Sequence, residues 1–281
     1  MTAGEWQKDA ARRLTEAGCE DGRFDALCLL EDIAGLGRRR VTGKEPLSRS
    51  ALEALEAALA QRLDGRPLQY ILGEWDFLDL TLSVGEGVLI PRQDTELLCR
   101  VAADRLRGVP GPRVLDLCAG TGCVGLGVAS LCPSAQVTEV ELSPEAFAFL
   151  EKNIARYPAL SVEAKQGDVL TDAGRFGTDY DAILSNPPYI PTGDLDGLQR
   201  EVKREPTMAL DGADDGLAFY RVIAGEWCSH LKIGGFCAVE VGFGQAPAVE
   251  ELFRRAGLKV LPTAVDLGGI PRVVCGVCEK K

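Results

Sequence analysis

Apolar residues recur every three or four positions through the first quarter of the chain. Three such patterns contain Trp6, Ala10, Leu14 and Ala17, then Phe24, Leu27, Cys28 and Ile33, and then Leu52, Leu55, Leu59 and Leu63. This spacing predicts three amphipathic helices, because residues three and four apart share one helix face. Gly35 and Gly37 would end the second helix, and Ser50 with Glu53 has the spacing of a capping box that would start the third. Residues 1–72 are therefore predicted to form a helical domain.

The hydrophobic period changes to two near residue 78. Leucine and valine alternate with polar residues over 78–84, the glycines of 85–87 would make a turn, and an apolar run follows at 88–90. This combination predicts a β-hairpin. We assign residues 73–92 as a hairpin linker between the helical domain and a larger domain at residues 93–281.

Short apolar runs alternate with helical stretches beyond residue 112. The predicted strands are RVLDLC (113–118), QVTEVEL (136–142), SVEAKQ (161–166), DYDAILS (179–185), GFCAVEV (235–241), KVLP (259–262) and RVVCGV (272–277). Strands that alternate with helices predict an α/β fold with a doubly wound, mainly parallel, Rossmann-like sheet covered by helices on both faces. Ligands of such sheets bind beyond the carboxyl ends of the strands, so functional residues are expected there.

The charge of the chain argues against one large class of function. The 42 acidic residues against 31 basic ones give a net charge of −11. A protein that binds nucleic-acid phosphates directly needs a basic face, so no nucleic-acid binding is expected. The one basic cluster, Arg38-Arg39-Arg40, is expected to be a solvated loop rather than a partner contact.

Metal-ligating residues and targeting segments are scarce. The chain has one histidine and a single C-x-x-C, formed by Cys275 and Cys278, so no metal site is predicted. It also lacks an apolar stretch of the roughly 20 residues that cross a membrane, and its start lacks the apolar segment of a secretion signal. Ten cysteines without such a signal predict a cytoplasmic protein with free, mostly buried thiols.

The ends of the first three strands beyond residue 112 carry candidate ligand-binding residues. Asp116 is followed by Cys118-Ala119-Gly120-Thr121-Gly122, whose glycines let the backbone approach a ligand beside a helix N-terminus. Glu141 ends the second strand and could accept hydrogen bonds from both hydroxyls of a ribose. Asp168-Val169 follows the third strand, where the carboxylate could accept from an adenine amino group. These residues predict a nucleoside-containing cofactor, and because residues 120–125 match G-x-G-x-x-G, a dinucleotide-dependent dehydrogenase stays open.

The fourth strand leads directly into Asn186-Pro187-Pro188-Tyr189. Two successive prolines make the backbone rigid and extended, and they remove two N–H donors. The Asn186 side-chain carbonyl and the Pro187 main-chain carbonyl could each accept one hydrogen of a planar NH₂ group, beside the flat wall of Tyr189. Those two hydrogen bonds would point the nitrogen lone pair toward a cofactor methyl group. The motif therefore predicts chemistry at an amino or amide nitrogen.

These strand ends together with N-P-P-Y resemble the S-adenosylmethionine-dependent methyltransferases that modify amino nitrogens of DNA, RNA or protein glutamine. Other segments resemble one branch of them, the release factor glutamine methyltransferases, also called the PrmC or HemK family. Those segments are RPLQYILG (66–73), LIPRQDTE (89–96), Glu205-Pro206 with Ala209-Leu210, Asp215-Gly216-Leu217 and DLGGIPR (266–272). The resemblance spans nearly the whole chain, including the helical domain.

This resemblance implies a specific reaction in translation termination. The methyl group of S-adenosyl-L-methionine would pass to the side-chain amide nitrogen (N5) of the glutamine in the Gly-Gly-Gln motif of a peptide chain release factor, leaving S-adenosyl-L-homocysteine. The implied cofactor residues are Asp116, Cys118, Ala119, Gly120, Thr121, Gly122, Glu141, Asp168, Val169 and Asn186. The implied substrate residues are Asn186, Pro187, Pro188 and Tyr189, of which Asn186, Pro187 and Tyr189 would be catalytic. The helical domain would dock the release factor, and we expect a monomer.

Two residues depart from the pattern of the family. Cys118 stands where glycine is common, so the first turn of the loop is less permissive, and cofactor affinity is the property in question. A residue that ends a strand, however, need not adopt a positive φ. Glu141 stands where aspartate is common, and it keeps two acceptor oxygens, so its role is expected to survive.

Two other functions and one structural question stay open. An amino methyltransferase acting on a nucleic-acid base is opposed by the acidic charge, and a cofactor-binding adaptor without catalysis is opposed by the intact residues 186–189. The charged, glycine-containing segment 192–215 fits a mobile lid over the site and a plain surface loop equally well.

Overall fold

The computed structural model describes residues 1–36 and 43–280 of the chain. The predicted helix end at Gly37 and the basic cluster at residues 38–40 lie outside the described residues. Contacts divide the chain into two compact units, Met1–Glu74 with Gln199–Arg204, and Trp75–Leu198 with Glu205–Lys281. The assignment of residues 73–92 as a linker stays a prediction.

The first unit is helical, as the apolar spacing indicates. Its helices are α1 (Ala3–Glu16), α2 (Gly22–Ile33), α3 (Arg49–Leu63) and α4 (Leu68–Leu72). The predicted capping box of α3 is wrong, because the Ser48 hydroxyl caps this helix by accepting a hydrogen bond from the Ala51 N–H at 3.1 Å. Ser50 lies inside the first turn, and Glu53 forms an ion pair with Arg49 at 2.9 Å.

Segment 199–204 is joined to this unit by a buried arginine. The Arg62 side chain, 8% exposed, donates to Asp25 at 2.7 Å and to Glu201 at 2.8 Å. Burial raises the pKa of Asp25, while the Arg62 charge opposes that shift. Removing one partner of a buried ion pair typically costs about 3–5 kcal/mol, because the other charge stays desolvated.

The second unit is an α/β domain preceded by a hairpin. In chain order its elements are β1 (Glu74–Phe77), β2 (Leu80–Ser83), α5 (Thr95–Leu106), β3 (Arg113–Leu117), α6 (Cys123–Leu131), β4 (Gln136–Glu141), α7 (Pro144–Arg156), β5 (Val162–Gln166), β6 (Tyr180–Ser185), α8 (Ala218–Gly225), β7 (Leu231–Glu240), α9 (Ala246–Arg255), β8 (Lys259–Val260), β9 (Ala264–Val265) and β10 (Pro271–Val277). The large sheet has the order β5-β4-β3-β6-β7-β10-β8, and β9 also pairs with β10.

The strand directions confirm the predicted fold class. Strands β5, β4, β3, β6 and β7 run parallel, whereas β10 is antiparallel to β7. The chain winds outward from β3 to β5 and then returns to β6 on the other side of β3. The adjacent β3 and β6 therefore form the topological switch point, where ligands of such sheets bind.

Both faces of this sheet are buried, because its strands are apolar at consecutive positions. Leu115 and Ile183 face one core, which contains Trp227, whereas the neighbouring Val114 and Ala182 face a second core on the other side. Side chains alternate between the faces of a strand, so each apolar run supplies both cores.

The hairpin is present, but its turn is not where the glycines suggested. β1 and β2 pair around Leu78 and Asp79, and Leu78 adopts a φ of 52°. The chain does turn here, since the Val88 N–H donates to the Gly85 carbonyl at 3.4 Å, but residues 88–90 form no strand, so the hairpin predicted at this turn is wrong. The reason is tertiary, since the Ile90 N–H donates to the buried Glu205 carboxylate at 3.0 Å rather than to a strand.

All ten cysteines lie in the described part of the chain and have free thiols, and seven of them are buried. Cys275 and Cys278 belong to the sheet region and are 3% and 7% exposed. Within residues 1–36 and 43–280, no three histidine, cysteine or acidic side chains are grouped to hold a metal ion. None of the helices in these described residues has the length and hydrophobicity needed to cross a membrane.

Candidate active site

A cavity opens at the carboxyl ends of β3, β4 and β6. The empty space in it is about 870 Å³, counting the space open to solvent at its mouth. The predicted residues that line it are Cys118, Ala119, Gly120, Thr121, Glu141, Asp168, Val169, Asn186 and Pro188. The predicted residues outside this lining are Asp116, Gly122, Pro187 and Tyr189. The structure thus brings most, but not all, of the predicted site residues together.

Asp116 is buried beneath the loop that follows β3. Its side chain is 1% exposed, and Oδ2 accepts from the Gly125 N–H at 3.0 Å, at the N-terminus of α6. Among the described residues Oδ1 has no hydrogen-bond partner. Burial raises the pKa of Asp116 to about 8, against the lowering effect of the Gly125 hydrogen bond. The unpartnered Oδ1 of Asp116 therefore carries the proton below about pH 8 and is an acceptor in the ionised form above it.

Cys118 adopts the backbone conformation that the sequence did not require. Its φ is +60°, a positive value that a residue at a strand end need not adopt. The next residue stays bonded to the sheet, since the Ala119 N–H donates to the Val140 carbonyl of β4 at 3.0 Å. A left-handed conformation costs a non-glycine residue about 1–2 kcal/mol, so the cysteine strains this turn.

Glu139 is a buried acid that the sequence reasoning missed. It is fully buried on β4, and Oε1 accepts from the Leu126 N–H at 3.1 Å. Burial, and then the charge of Asp116, raise its pKa well above the usual range. Gly122, with a φ of +81°, and Gly125 lie against this carboxylate, and a Cβ at either position would overlap it. The glycines of the loop therefore make room for Glu139.

Glu141 holds the loop from the side of the cavity. Oε2 accepts from the Gly120 N–H at 2.8 Å, and Oε1 accepts from the Ser143 N–H at 2.7 Å. Burial raises its pKa, although these two hydrogen bonds oppose the shift. Each carboxylate oxygen has a second lone pair, so Glu141 can still accept from a ligand while it organises the loop.

Asp168 and Val169 lie at the end of the cavity that follows β5. Asp168 Oδ1 accepts from the Leu170 N–H at 2.8 Å, which fixes the carboxylate at a turn. Val169 is 4% exposed, and its carbonyl accepts from the indole N–H of Trp227 at 2.8 Å. A polar acceptor beside an apolar wall suits one edge and one face of a planar base.

Asn186 is positioned from two directions. The Ser185 hydroxyl donates to the Leu117 carbonyl at 2.7 Å, which joins the end of β6 to the end of β3. The Asn186 Nδ2 group donates to the Thr95 hydroxyl at 3.1 Å, at the start of α5. Its Oδ1 is buried and has no partner in the described part of the chain. Asn186 therefore presents an unused carbonyl acceptor at the cavity wall.

Tyr189 is held by residues that the sequence reasoning gave no role. Its main-chain carbonyl accepts from Gln245 Nε2 at 2.8 Å, and Gly216 lies so close that a Cβ there would overlap this carbonyl. Burial raises the pKa of the Tyr189 phenol to about 12, with the charge of Glu240 as the second cause. These contacts restrain the main chain at Tyr189.

The segment 192–215 contacts the cavity wall through Glu205, which is 5% exposed. The Glu205 carboxylate accepts from the Ile90 N–H and forms an ion pair with Arg92. Residues 87–92 line the cavity, so Glu205 fixes one of its walls. The LIPRQDTE and Glu205-Pro206 segments stood out in the sequence, and this pairing gives both a structural role. The lid alternative stays a prediction.

The raised pKa of Asp116 predicts a pH-dependent stability. The folded protein keeps a proton on Asp116 up to about pH 8, whereas the unfolded chain loses it near the ordinary value of 3.8. Stability contributed by this proton is complete below pH 3.8 and is lost as the pH rises through about 8. We expect Asp116→Asn to flatten the fall in unfolding free energy over this range, measured by urea denaturation at several pH values. Parallel curves for the two proteins would contradict the assignment.

Comparisons with known proteins were made for the whole chain. The family model of the PrmC N-terminal domain matches residues 5–73, and that of the methyltransferase small domain matches residues 93–200. The release factor glutamine methyltransferase of Geobacter sulfurreducens is 42% identical over 267 residues, covering 94% of this chain and 92% of that protein. The protein of the same name from Moorella thermoacetica is 37% identical, covering 92% and 91% of the two chains.

One solved structure with a bound ligand is also similar. It is the T. thermophilus 16S rRNA N2 G1207 methyltransferase (RsmC) in complex with AdoMet and guanosine. The two chains are 25% identical with a TM-score of 0.50, over 73% of this chain and 49% of the other.

Proposed function

The chain belongs to the family of release factor glutamine methyltransferases, and we propose that it methylates the side-chain amide nitrogen (N5) of the glutamine in the Gly-Gly-Gln motif of a peptide chain release factor. The methyl donor is S-adenosyl-L-methionine, which leaves as S-adenosyl-L-homocysteine. The observation that carries the proposal is Asn186 Oδ1, a buried acceptor at the cavity wall without a partner among the described residues. A primary amide carries two N–H hydrogens, and one of them fits this acceptor.

The cavity residues suit each part of the cofactor. Glu141 keeps lone pairs for the ribose hydroxyls, and Asp168 with Val169 offers an acceptor and an apolar wall for the adenine. Asp116 places an unpartnered acceptor beneath the 118–122 loop, near the methionine part. When bound, the cofactor supplies an electrophilic methyl group on a sulfonium.

Orientation is the main contribution of the protein to the reaction. An amide nitrogen is a poor nucleophile because its lone pair is delocalised into the carbonyl, so its direction toward the methyl group matters. The Asn186 carbonyl takes one amide hydrogen. The resemblance to the family assigns the other hydrogen to the adjacent Pro187 carbonyl and the packing surface to Tyr189, two residues outside the cavity lining in this structure. Both acceptors bind more strongly as positive charge develops on nitrogen, which favours the transition state.

A histidine base has no part in this proposal. The one histidine, His230, donates a hydrogen bond from Nδ1–H to the Gly177 carbonyl at 2.8 Å and packs against Trp227. The excess proton leaves the methylated amide after transfer. No metal is required, since two neutral acceptors and the cofactor provide all the groups that the reaction uses.

The proposal also covers the protein partner of this enzyme, the unit that binds it, and the cellular compartment. The N-terminal helical unit docks the release factor, which is supported by the match of residues 5–73 to the PrmC N-terminal domain. Free thiols at all ten cysteines suit the reducing cytoplasm, and the protein acts there as a monomer. A net charge of −11 disfavours direct contact with nucleic acid.

A methylation assay tests the proposed function. The protein is incubated with S-adenosyl-L-methionine and a release factor, and the methyl groups are mapped by peptide mass spectrometry. We expect one methyl group on the Gly-Gly-Gln glutamine and none on a release factor in which this glutamine is replaced by alanine. Methyl transfer only to added DNA or RNA would overturn the proposal in favour of a base methyltransferase.

A pair of substitutions at Glu141 tests the cofactor site. Glu141→Ala removes the acceptors for the ribose and loosens the loop at Gly120, so we expect about 10- to 100-fold weaker binding, the usual effect of losing hydrogen bonds to a charged group. Glu141→Asp keeps both oxygens and is expected to bind within about threefold of the parent. Isothermal titration with S-adenosyl-L-methionine measures both, and equal affinities for Glu141→Ala and the parent would exclude the proposed contact.

A further inference from the structure

Two buried polar residues, Glu240 and Thr95, lie near Asn186. Glu240 ends β7 and is 2% exposed, and Thr95 begins α5 and is 1% exposed. The Thr95 hydroxyl oxygen accepts from Asn186 Nδ2 at 3.1 Å, and the same hydroxyl is close enough to the Glu240 carboxylate to lower its pKa. Glu240, Thr95 and Asn186 therefore form a chain of polar contacts from the sheet to the cavity, which we call the Glu240–Thr95–Asn186 chain.

This chain has a defined direction. A hydroxyl has one hydrogen to donate, and an ionised carboxylate can only accept, so Glu240 takes the Thr95 hydrogen. The Thr95 oxygen can then only accept from Asn186, which requires the NH₂ end of that side chain to face Thr95. The carbonyl end, Oδ1, is left as the acceptor at the cavity wall.

The direction matters because an asparagine amide is nearly symmetric in shape. Its C=O and NH₂ ends have similar size, so hydrogen bonds rather than packing decide which end faces the cavity. An NH₂ end in the cavity would meet the N–H hydrogens of a substrate amide and repel them. The direction in which the Thr95 hydroxyl donates its hydrogen thus decides which end of the Asn186 amide faces the cavity.

We propose that Glu240 and Thr95 are positioning residues that fix the orientation of the Asn186 amide, so that its carbonyl, and not its NH₂ group, receives the N–H of the acceptor nitrogen. The proposal rests on the proposed function for its substrate and on the Glu240–Thr95–Asn186 chain for its geometry. Neither positioning residue touches the reacting atoms. Their contribution is to make one of two nearly isosteric rotamers dominant before substrate binds.

The proposed chain depends on the ionisation of Glu240. Burial raises the pKa of Glu240 to about 7, and the Thr95 hydrogen bond opposes this shift. The titratable and charged groups around Glu240 are Arg92, Asp94, Cys99, Cys123, Tyr189, Tyr220 and Arg272. Below about pH 7 the Glu240 carboxyl becomes protonated and can donate to Thr95. The direction of the hydrogen bonds between Glu240, Thr95 and Asn186 is then no longer fixed.

Two substitutions at Thr95 separate the hydroxyl from the shape of the side chain. Thr95→Val keeps the volume and removes the hydroxyl, so we expect turnover to fall at least ~10-fold, with the KM for the release factor and the Kd for S-adenosyl-L-methionine within about twofold. Thr95→Ser restores the hydroxyl and is expected to recover at least about a third of the turnover. Equal turnover in Thr95→Val and the parent, or an equal loss in both variants, would overturn the proposal.

Nuclear magnetic resonance observes the orientation without any substrate. The chain contains two asparagines, Asn153 and Asn186, so labelling the asparagine side-chain amides with ¹⁵N yields two NH₂ signal pairs. Asn153 is an internal reference, because its Nδ2 group donates to the Ser83 and Thr121 carbonyls away from Thr95. The pair that disappears in Asn186→Ala is assigned to Asn186.

We expect Thr95→Val to shift the Asn186 pair while the Asn153 pair stays in place, which also shows that the variant is folded. Thr95→Ser is expected to return the Asn186 pair toward its parental position. An Asn186 pair that is unmoved in folded Thr95→Val would overturn the proposal.

A pH profile provides the readout specific to Glu240. Turnover of the parent should decline as the pH falls through about 7, and Glu240→Gln, which cannot ionise, should lack this decline. Asp116 titrates in both proteins, so the difference between the two profiles isolates Glu240. Identical acid limbs would exclude Glu240 as a positioning residue.

These measurements distinguish failure of this proposal from failure of the proposed function. If the parent protein does not methylate a release factor, the proposed function is wrong, and the NMR signals still test the orientation of Asn186. If the parent methylates the glutamine and Thr95→Val does so equally well, only the positioning proposal is wrong.

Discussion

Replacing Asn186 by alanine should lower turnover at least ~100-fold, the largest functional effect that we expect from a single substitution. The substitution removes the unpartnered carbonyl at the cavity wall and leaves the substrate amide free to rotate. Orientation is most of what the protein contributes to this reaction, because the methyl donor provides the electrophile. Cofactor affinity should stay within about threefold, since Glu141, Asp168 and the 118–122 loop are untouched.

The measurement is single-turnover methylation of a release factor, together with titration of S-adenosyl-L-methionine. Thr192→Ala is the matched control, because Thr192 follows the same segment, is exposed and bonds Asp211 outside the cavity. Its turnover should match the parent. An equal loss of turnover and cofactor affinity in Asn186→Ala would show that this residue binds cofactor and does not orient substrate.

Gly125→Ala is expected to give the largest loss of stability, about 3 kcal/mol or more, the upper range for overpacking a core. A Cβ at this position overlaps Glu139 Oε1 and lies 2.7 Å from both Cγ and Cδ of the same side chain. Glu139 cannot swing away, because it is fully buried and accepts from the Leu126 N–H. Urea denaturation measures the change.

Two further variants identify the cause of that loss. Gly225→Ala is the matched control, a helical glycine whose added Cβ meets nothing within 4 Å, and it should gain up to about 1 kcal/mol from helix propensity. In the double variant Gly125→Ala with Glu139→Ala the clash is gone, so most of the lost stability should return. Additive losses in the double variant would show that Glu139 is not the obstacle.

The strands and loop of the large domain were predictable because their signals are local. Apolar runs at Val114–Leu117 and Asp181–Leu184 mark buried strands, and the glycines after Asp116 mark a tight loop. The hairpin turn was misplaced for the opposite reason. Gly85 and Gly87 do lie at a turn, and Gly87 has a φ of +98°, but no strand follows this turn, and the hairpin turn is instead at Leu78 and Asp79.

The buried acids of the site could not be recognised from sequence. Glu139 and Glu141 are two positions apart on one strand, and the sequence indicated a role only for Glu141. Only Glu141 lines the cavity, whereas Glu139 is enclosed under the loop. Which of two such carboxylates meets a ligand depends on the helix that packs over the strand, and that helix is a tertiary feature.

The sequence by itself determined the fold class, the two structural types of its units, the glycine loop and the Asn186–Tyr189 motif. Each is encoded by spacing or by adjacent residues. Only the tertiary structure decided how Asn186 is oriented, since Thr95 is 91 positions away and Glu240 follows on another strand. Local periodicity reports which face of an element is apolar. Local periodicity carries no information about which distant polar groups come into contact when those faces are buried. The direction in which the Thr95 hydroxyl donates depends on those contacts.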